Sequence, residues 1–481
     1  MRRLLTLVSL ATCLVLLALA LTAGMAAAHP TRSPAPPVVN WTQMLNYDQM
    51  TTMLQQVHAA YPQTTKLFSI GHSWQERQLW CLELSSPIAA ATHKTGVALF
   101  GNIHGGEQQG GMGAAYTAWW LATQYGKNAN ATKLLAKYNV YIVPLINPDG
   151  YQRSFLVNTR TNMRPTDKNS VAGPFSDPRV DTNGDGMIAR IYQQNTGTTP
   201  AVGTTAKGDN PNPTDIKSFN SPAQSVVYES LSAVDASGVP TGTDLDNNGL
   251  WGDDDFGSNV DMNRNFDYLW NFHDVSVIPN LGANAWTSAG PDAASEPEVQ
   301  AVQNFLITHP VAALTSLHTG EQSVLWPWCY SPAPTTDDAF MGATSAKMAA
   351  AWSADTGRPM YTMTSYKDYP TSAELIDWAW GRLHIHAYTQ EVYTPNTRDS
   401  TNSSTAYEWY YRPNPPDQWI YMGDWQGLKN IWFDNTGSAQ MQGKPAIYQD
   451  KLVAGVKDSF LAMSFSEPSG LGAIVPDWIV W

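Results

Sequence analysis

The chain has 481 residues, 43% of them hydrophobic, which is enough for a large buried core and argues against a disordered chain. Its 28 Lys and Arg against 41 Asp and Glu leave a net charge of −13, which speaks against a nucleic-acid-binding surface. Charged residues make up only 14% and aromatics 11%, a mix that fits a secreted, loop-rich globular enzyme.

Residues 1–28 read as a signal peptide. Arg2 and Arg3 precede an apolar run from Leu4 to Leu21, and Ala26, Ala27 and Ala28 supply the small residues before cleavage. A retained N-terminal anchor is the alternative, since the run is nearly long enough to span a bilayer. No second stretch is apolar enough to cross one, so the mature chain is expected to carry no membrane span. After cleavage Cys81 and Cys329 remain, each in an apolar, aromatic context that suggests two buried thiols rather than a disulfide.

Residues 29–40 form a Pro-rich linker. Helical spacing of Met44, Leu45, Met50, Met53, Leu54 and Val57 predicts a helix over 44–60, stopped by Pro62. Strands are predicted at 66–70, 78–84 and 96–102, then a helix over 111–125 and a strand over 140–145. Residues 165–258 are rich in Asp, Asn, Gly, Thr and Pro, with little periodicity, and read as a long polar insertion. A helix over 295–308, a strand over 312–317, helices over 337–356 and 373–383, a strand ending at Glu391 and a helix over 447–463 come next. Residues 397–440 are polar and rich in Trp and Tyr, and 466–481 are a tail. Strands alternating with helices argue for one α/β domain over 41–465, with ligands at the C-terminal strand ends.

His104-Gly105-Gly106-Glu107 follows the third strand. Imidazole nitrogen and carboxylate oxygen bind zinc at about 2.0–2.2 Å, and an H-x-x-E placed after a strand lets both reach one ion from a single loop. His318, at the end of another apolar strand, would complete the two-His, one-Glu set of an open catalytic zinc site.

These motifs do not stand alone. HGGE at 104–107, NPDG at 147–150, DMNRNFD at 261–267, SEPE at 295–298, the His318 strand, IDW at 376–378 and Glu391 occur in the order of the zinc carboxypeptidases of the carboxypeptidase A type, which this sequence resembles from about Tyr47 to Glu391. The resemblance implies a mixed, twisted sheet flanked by helices, one catalytic Zn²⁺ held by His104, Glu107 and His318, and Glu391 as general base and then acid. It implies that Asn263 and Arg264 grip the terminal carboxylate of a peptide, that Asp261 orients His104, and that Tyr369 closes over the substrate. Tyr366 is the other candidate for that closing residue. Arg164 corresponds to the arginine that stabilises the oxyanion, although Met163 and Pro165 flank it where the family has Trp and Lys; Arg160 is the alternative. Ile376 resembles the apolar pocket floor. Glu374 is unusual there, and either accepts a basic side chain or points to solvent.

No activation propeptide of the familiar size precedes the first helix, so the protein is expected to be secreted, to the extracellular space or periplasm, ready to act. Asp181-Thr182-Asn183-Gly184-Asp185-Gly186 and Asp244-Leu245-Asp246-Asn247-Asn248-Gly249 each open like a calcium loop, D-x-[DN]-x-[DN]-G, without a clear Glu at position twelve. Bound Ca²⁺ on Asp181, Asn183, Asp185, Asp244, Asp246 and Asn248, or metal-free turns, are the two readings. The expected function is removal of single residues from peptides with a free C-terminal carboxylate. Alternatives are a muropeptide carboxypeptidase or zinc amidase on the same fold, and an inactive binding protein suggested by the 19 Trp.

Overall fold

The computed structural model describes residues 34–88, 94–155, 162, 164, 190–194, 205–206, 216–218, 260–272, 289–290, 292–393, 397–398, 404–405, 419–425, 428–434 and 449–467. Contacts divide the chain into two units, 1–35 and 36–481, and the second holds every helix and strand from Tyr47 onward. Residues 1–33 and both Asp-rich loops lie outside the described residues.

Helix α1 (Tyr47–Ala60) starts on a capping box: Asn46 Oδ1 accepts from Gln49 N and Gln49 Oε1 accepts from Asn46 N, both at 2.9 Å. Then come β1 (Thr65–His72), β2 (Gln78–Leu84), β3 (Gly96–Gly101), α2 (Gln108–Gln124), α3 (Ala129–Lys137), β4 (Asn139–Val143) and the short α4 (Pro148–Arg153). The polar stretch contributes β5 (Arg190–Gln194), β6 (Thr205–Ala206) and β7 (Ile216–Ser218). Beyond it lie α5 (Pro297–Thr308), β8 (Val311–His318), β9 (Gln322–Trp326), α6 (Asp338–Thr356), β10 (Tyr361–Thr364), α7 (Ser365–Asp368), α8 (Leu375–Leu383) and β11 (His386–Val392). The last elements are β12 (Thr397–Arg398), β13 (Ser404–Thr405), β14 (Trp419–Trp425), β15 (Leu428–Asp434) and α9 (Gln449–Ser466).

Eight strands form a mixed sheet in the order β1-β2-β4-β3-β8-β11-β9-β10. Its centre is parallel, with β4, β3, β8 and β11 side by side, while β2 and β9 run antiparallel to that block. Both faces are covered, which is why β3 and β4 read as nearly unbroken apolar runs. Along β3, Val97 and Leu99 join the cluster of Leu54, Leu121, Trp352 and Phe460, whereas Ala98 and Phe100 join that of Phe305, Leu314 and Trp378. Alternate side chains of one strand thus feed opposite cores. Cys81 and Cys329 are free, fully buried thiols in the second.

The structure differs from expectation in the polar regions. Strands of the stretch 165–258 pair with the Trp/Tyr-rich region in a separate five-stranded antiparallel sheet, β6-β14-β15-β5-β7. The signal for β14 and β15 was present: two aromatic runs separated by Gln426-Gly427 spell a hairpin.

Candidate active site

Three adjacent parallel strands, β3, β8 and β11, deliver the site. His104 lies just past β3, His318 is the last residue of β8, and Glu391 is its direct partner across the ladder on β11. The loop carrying His104 is held by Asn102, whose Nδ2 donates to the carbonyls of His104 and Gly105 at 2.8 and 3.1 Å. Gly105 is required by contact with the NPDG segment, since a Cβ there would stand 2.5 Å from the carbonyl carbon of Gly150. That segment is itself fastened. Asn147 Oδ1 accepts from Gly150 N at 2.9 Å, and the buried Asp149 accepts from Ser73 Oγ, Gln75 N and Arg77 Nη1 at 2.7–2.9 Å.

His104, Glu107 and His318 are buried, each offering a ligand atom within 4.8 Å of the others. His104 Nδ1 stands 2.8 Å from Glu107 Oε1, His318 Nδ1 3.1 Å from Glu107 Oε2, and the two Nδ1 atoms 3.2 Å apart. His104 Nε2 donates to Asp261 Oδ1 at 3.0 Å, and His318 Nε2 lies 3.1 Å from Ser316 Oγ. Protons placed there leave lone pairs on both Nδ1 atoms, facing one another and a carboxylate. Such an arrangement of acceptors is satisfied by a cation, and two imidazoles with one carboxylate fit zinc. Burial alone would raise the Glu107 carboxyl, but the two histidines hold it well below the usual range. Burial lowers His318, which favours the neutral imidazole a metal needs.

Asp261 links this centre to the next group. Its Oδ1 also accepts from Asn263 N at 3.0 Å, opening the 3₁₀ turn Met262–Arg264. Asn263 Oδ1 accepts from Leu375 N at 3.0 Å, and Arg264 Nη1 donates to the Asn263 carbonyl and to Glu374 Oε1, both at 2.9 Å. Arg264 Nη2 donates to Tyr369 Oη at 3.3 Å. Burial opposes the guanidinium charge, and Glu374 and Tyr369 more than restore it. A cleft beside this turn is lined among others by His104, His318, Asn263, Tyr369, Glu374 and Glu391. Tyr369 is 39% exposed at the rim.

Arg164 and Ile376 are not lining residues of that cleft, whereas Glu374 is. Arg164 Nη1 donates to the buried Glu296 at 2.5 Å and its guanidinium lies 5.3 Å over the Trp74 ring; it is not a lining residue of the cleft. Glu296 also accepts from Trp74 Nε1 and Asn162 Nδ2, both at 2.7 Å, and neighbouring Glu298 is pushed up to about 8 by burial. Arg160, the alternative, lies outside the described residues. Ile376 is fully buried among Phe266, Cys329 and Trp378, and Glu374 lines the cleft in its place. Glu374 does not point to solvent: it is 5% exposed.

A family model, zinc carboxypeptidase, matches residues 50–410, and the chain belongs to that family. Among curated relatives, carboxypeptidase D of Anas platyrhynchos is 33% identical over 105 residues, 22% of this chain and 8% of that protein. Carboxypeptidase Z of Mus musculus is 35% identical over 109 residues, 22% of this chain and 17% of that protein. The matched segments thus span under a fifth of these relatives. In fold, the chain resembles thrombin activatable fibrinolysis inhibitor, with a TM-score of 0.57 and 16% identity over 91% of this chain and 78% of that one. Carboxypeptidase A from Helicoverpa armigera gives 0.53 and 15% over 92% and 78%.

Proposed function

We propose that this protein is an exported zinc metallocarboxypeptidase that hydrolyses the last peptide bond of peptides with a free C-terminus. The observation that carries it is the trio His104, Glu107 and His318, acceptors turned toward one point, beside a buried Arg264. A zinc ion on that trio supplies Lewis acidity toward water and toward the scissile carbonyl. Glu391, at the register of His318 and only partly buried, takes the proton of the attacking water and returns it to the leaving amine. Asn263 and Arg264 hold the terminal carboxylate, which restricts cleavage to the last residue. Tyr369 excludes water when the ligand is in place. Arg164 keeps its assignment to the oxyanion only if it exchanges Glu296 for the substrate. Export rests on the signal-like residues 1–28, and among the described residues no helix is long and apolar enough to cross a membrane. Calcium at Asp181, Asn183, Asp185, Asp244, Asp246 and Asn248 completes the proposal.

Glu391→Gln tests the base. Zinc content should stay near about one per chain while turnover of blocked dipeptides falls by about 10³-fold or more. Arg264→Ala should harm free-acid peptides far more than their amides. Unchanged turnover in the first variant, or equal loss on acids and amides in the second, would remove the reading.

A further inference from the structure

Asn162 stands between the two arginines that compete for the oxyanion, two residues after Arg160 and two before Arg164. It is fully buried, and every hydrogen-bonding position of its amide is taken. Oδ1 accepts from Val260 N at 3.1 Å and from Arg164 N at 3.3 Å. Nδ2 donates to Glu296 Oε2 at 2.7 Å and to Glu298 Oε2 at 3.3 Å. Backbone donors on one side and carboxyl groups on the other leave the amide a single orientation. The Asn162 N–H donates in turn to the Val260 carbonyl at 3.0 Å, so both backbone groups of Val260 are held by one residue.

Val260 directly precedes Asp261, whose Oδ1 receives His104 Nε2–H and the N–H of Asn263. Asn162 thus ties the arginine-bearing segment to the turn that orients a metal-facing imidazole and carries Arg264. That turn has anchors of its own. Asn263 Oδ1 accepts from Leu375 N, Arg264 pairs with Glu374, and Phe266 N donates to the Ala373 carbonyl at 3.1 Å. On its far side Asn162 bonds to two acids at the head of α5, where Trp74 Nε1 holds Glu296 and Trp74 N holds Glu298. If the amide were lost, the arginine segment would shift and the turn would stay. An asparagine suits the place because it donates to two acids without adding charge. An alanine leaves Val260 N and both carboxyl groups short of partners in a buried site. Asn162 is not a lining residue of the cleft, so any catalytic effect passes through a neighbour. A guanidinium stabilises developing charge only when held within hydrogen-bond distance of the reacting oxygen.

We infer that Asn162 is a positioning residue: it holds the oxyanion arginine of its own segment in register with the Asp261–Arg264 turn. The inference rests on the carboxypeptidase reading, under which the scissile carbonyl oxygen acquires negative charge beside that arginine.

The test is a double-mutant cycle on the zinc-loaded, full-length protein, with kcat expressed per bound zinc. Benzoyl-Gly-Phe, -Leu, -Lys, -Arg and -Glu identify the peptide that the wild type turns over fastest. Asn162→Ala should lower kcat on it by about 10²-fold, as loss of an oxyanion donor does, while KM moves by less than about threefold. Zinc affinity, read by chelator competition, should stay within about threefold of wild type, since no bond of Asn162 reaches a ligand. Arg160→Ala and Arg164→Ala, made singly, show which arginine serves. In that background, adding Asn162→Ala should lower kcat by less than about threefold further, because its effect runs through the missing group. A merely structural role gives losses that multiply. Asn162→Ser, which keeps one donor and one acceptor, takes the place of alanine in the cycle if the alanine variant does not fold. Multiplying losses, an unchanged kcat in the Asn162 variant, wild-type kcat in both arginine variants, or a loss that lies wholly in KM or zinc affinity would overturn the inference. A wild type that hydrolyses none of the five peptides ends the carboxypeptidase reading and this inference with it; hydrolysis together with any of the other outcomes ends the inference alone.

Discussion

Asp261 does more at the level of single residues than its place behind a ligand suggests. One oxygen receives His104 Nε2–H and the N–H of Asn263, so the metal-facing imidazole and the turn bearing Arg264 share an anchor. Asp261→Asn would let the imidazole rotate and loosen the turn together. Zinc affinity should fall by about 10–100-fold, as measured by chelator competition, and KM for free-acid peptides should rise with it. Affinity equal to wild type would refute that coupling. The zinc trio was legible in the sequence because its histidines sit at the ends of apolar strands and His104 and Glu107 share a motif with its own spacing. Glu374 was legible only as two open readings, a basic partner or solvent, because its partner Arg264 lies 110 residues away in the chain. Arg164 was marked as doubtful by its flanking residues, and its pairing with Glu296 comes from a motif far along the chain.

Among elements, the start of β11 is clamped between two helices. His386 Nδ1 lies 3.0 Å from Glu467, just past α9, and Nε2 lies 3.1 Å from Asp337, at the start of α6, with the Trp380 ring stacked at 5.6 Å. Burial disfavours the imidazolium, but the two carboxylates outweigh it and raise His386 above its ordinary 6.5. A raised folded value means the clamp contributes its full stability below the unfolded value and loses it as pH rises through the folded one. The melting temperature of wild type minus that of Glu467→Gln should therefore shrink between about pH 5.5 and about pH 8.5. A gap constant with pH would contradict the clamp. Strands β3 and β4 were legible because burial on both faces gives nearly continuous apolar runs, and β8 because its first half does. The short α4, and β9 and β10, were not: they have too few residues to display a period, and their stability comes from neighbours.

For the whole molecule, the acidic balance and the Asp-rich loops raise the question of ions beyond zinc. If calcium occupies the two loops, it stabilises the folded chain by mass action, and EGTA, at concentrations that leave zinc content unchanged, should lower the melting temperature. No shift would exclude calcium there. The polar stretches of the chain were the least legible, because their regular parts are small strands whose partners lie far away in sequence. Strand β5 finds β15 roughly 240 residues later, with β8 and β11 in between. An engineer wishing to trim this protein to its hydrolytic minimum inherits a constraint from that pairing. Cutting out 190–218 alone would leave β14 and β15 paired only with each other, a Trp-bearing hairpin with both edges bare and an invitation to self-association. The excision has to take that hairpin with it, so two segments that look independent on paper form a single unit of inheritance.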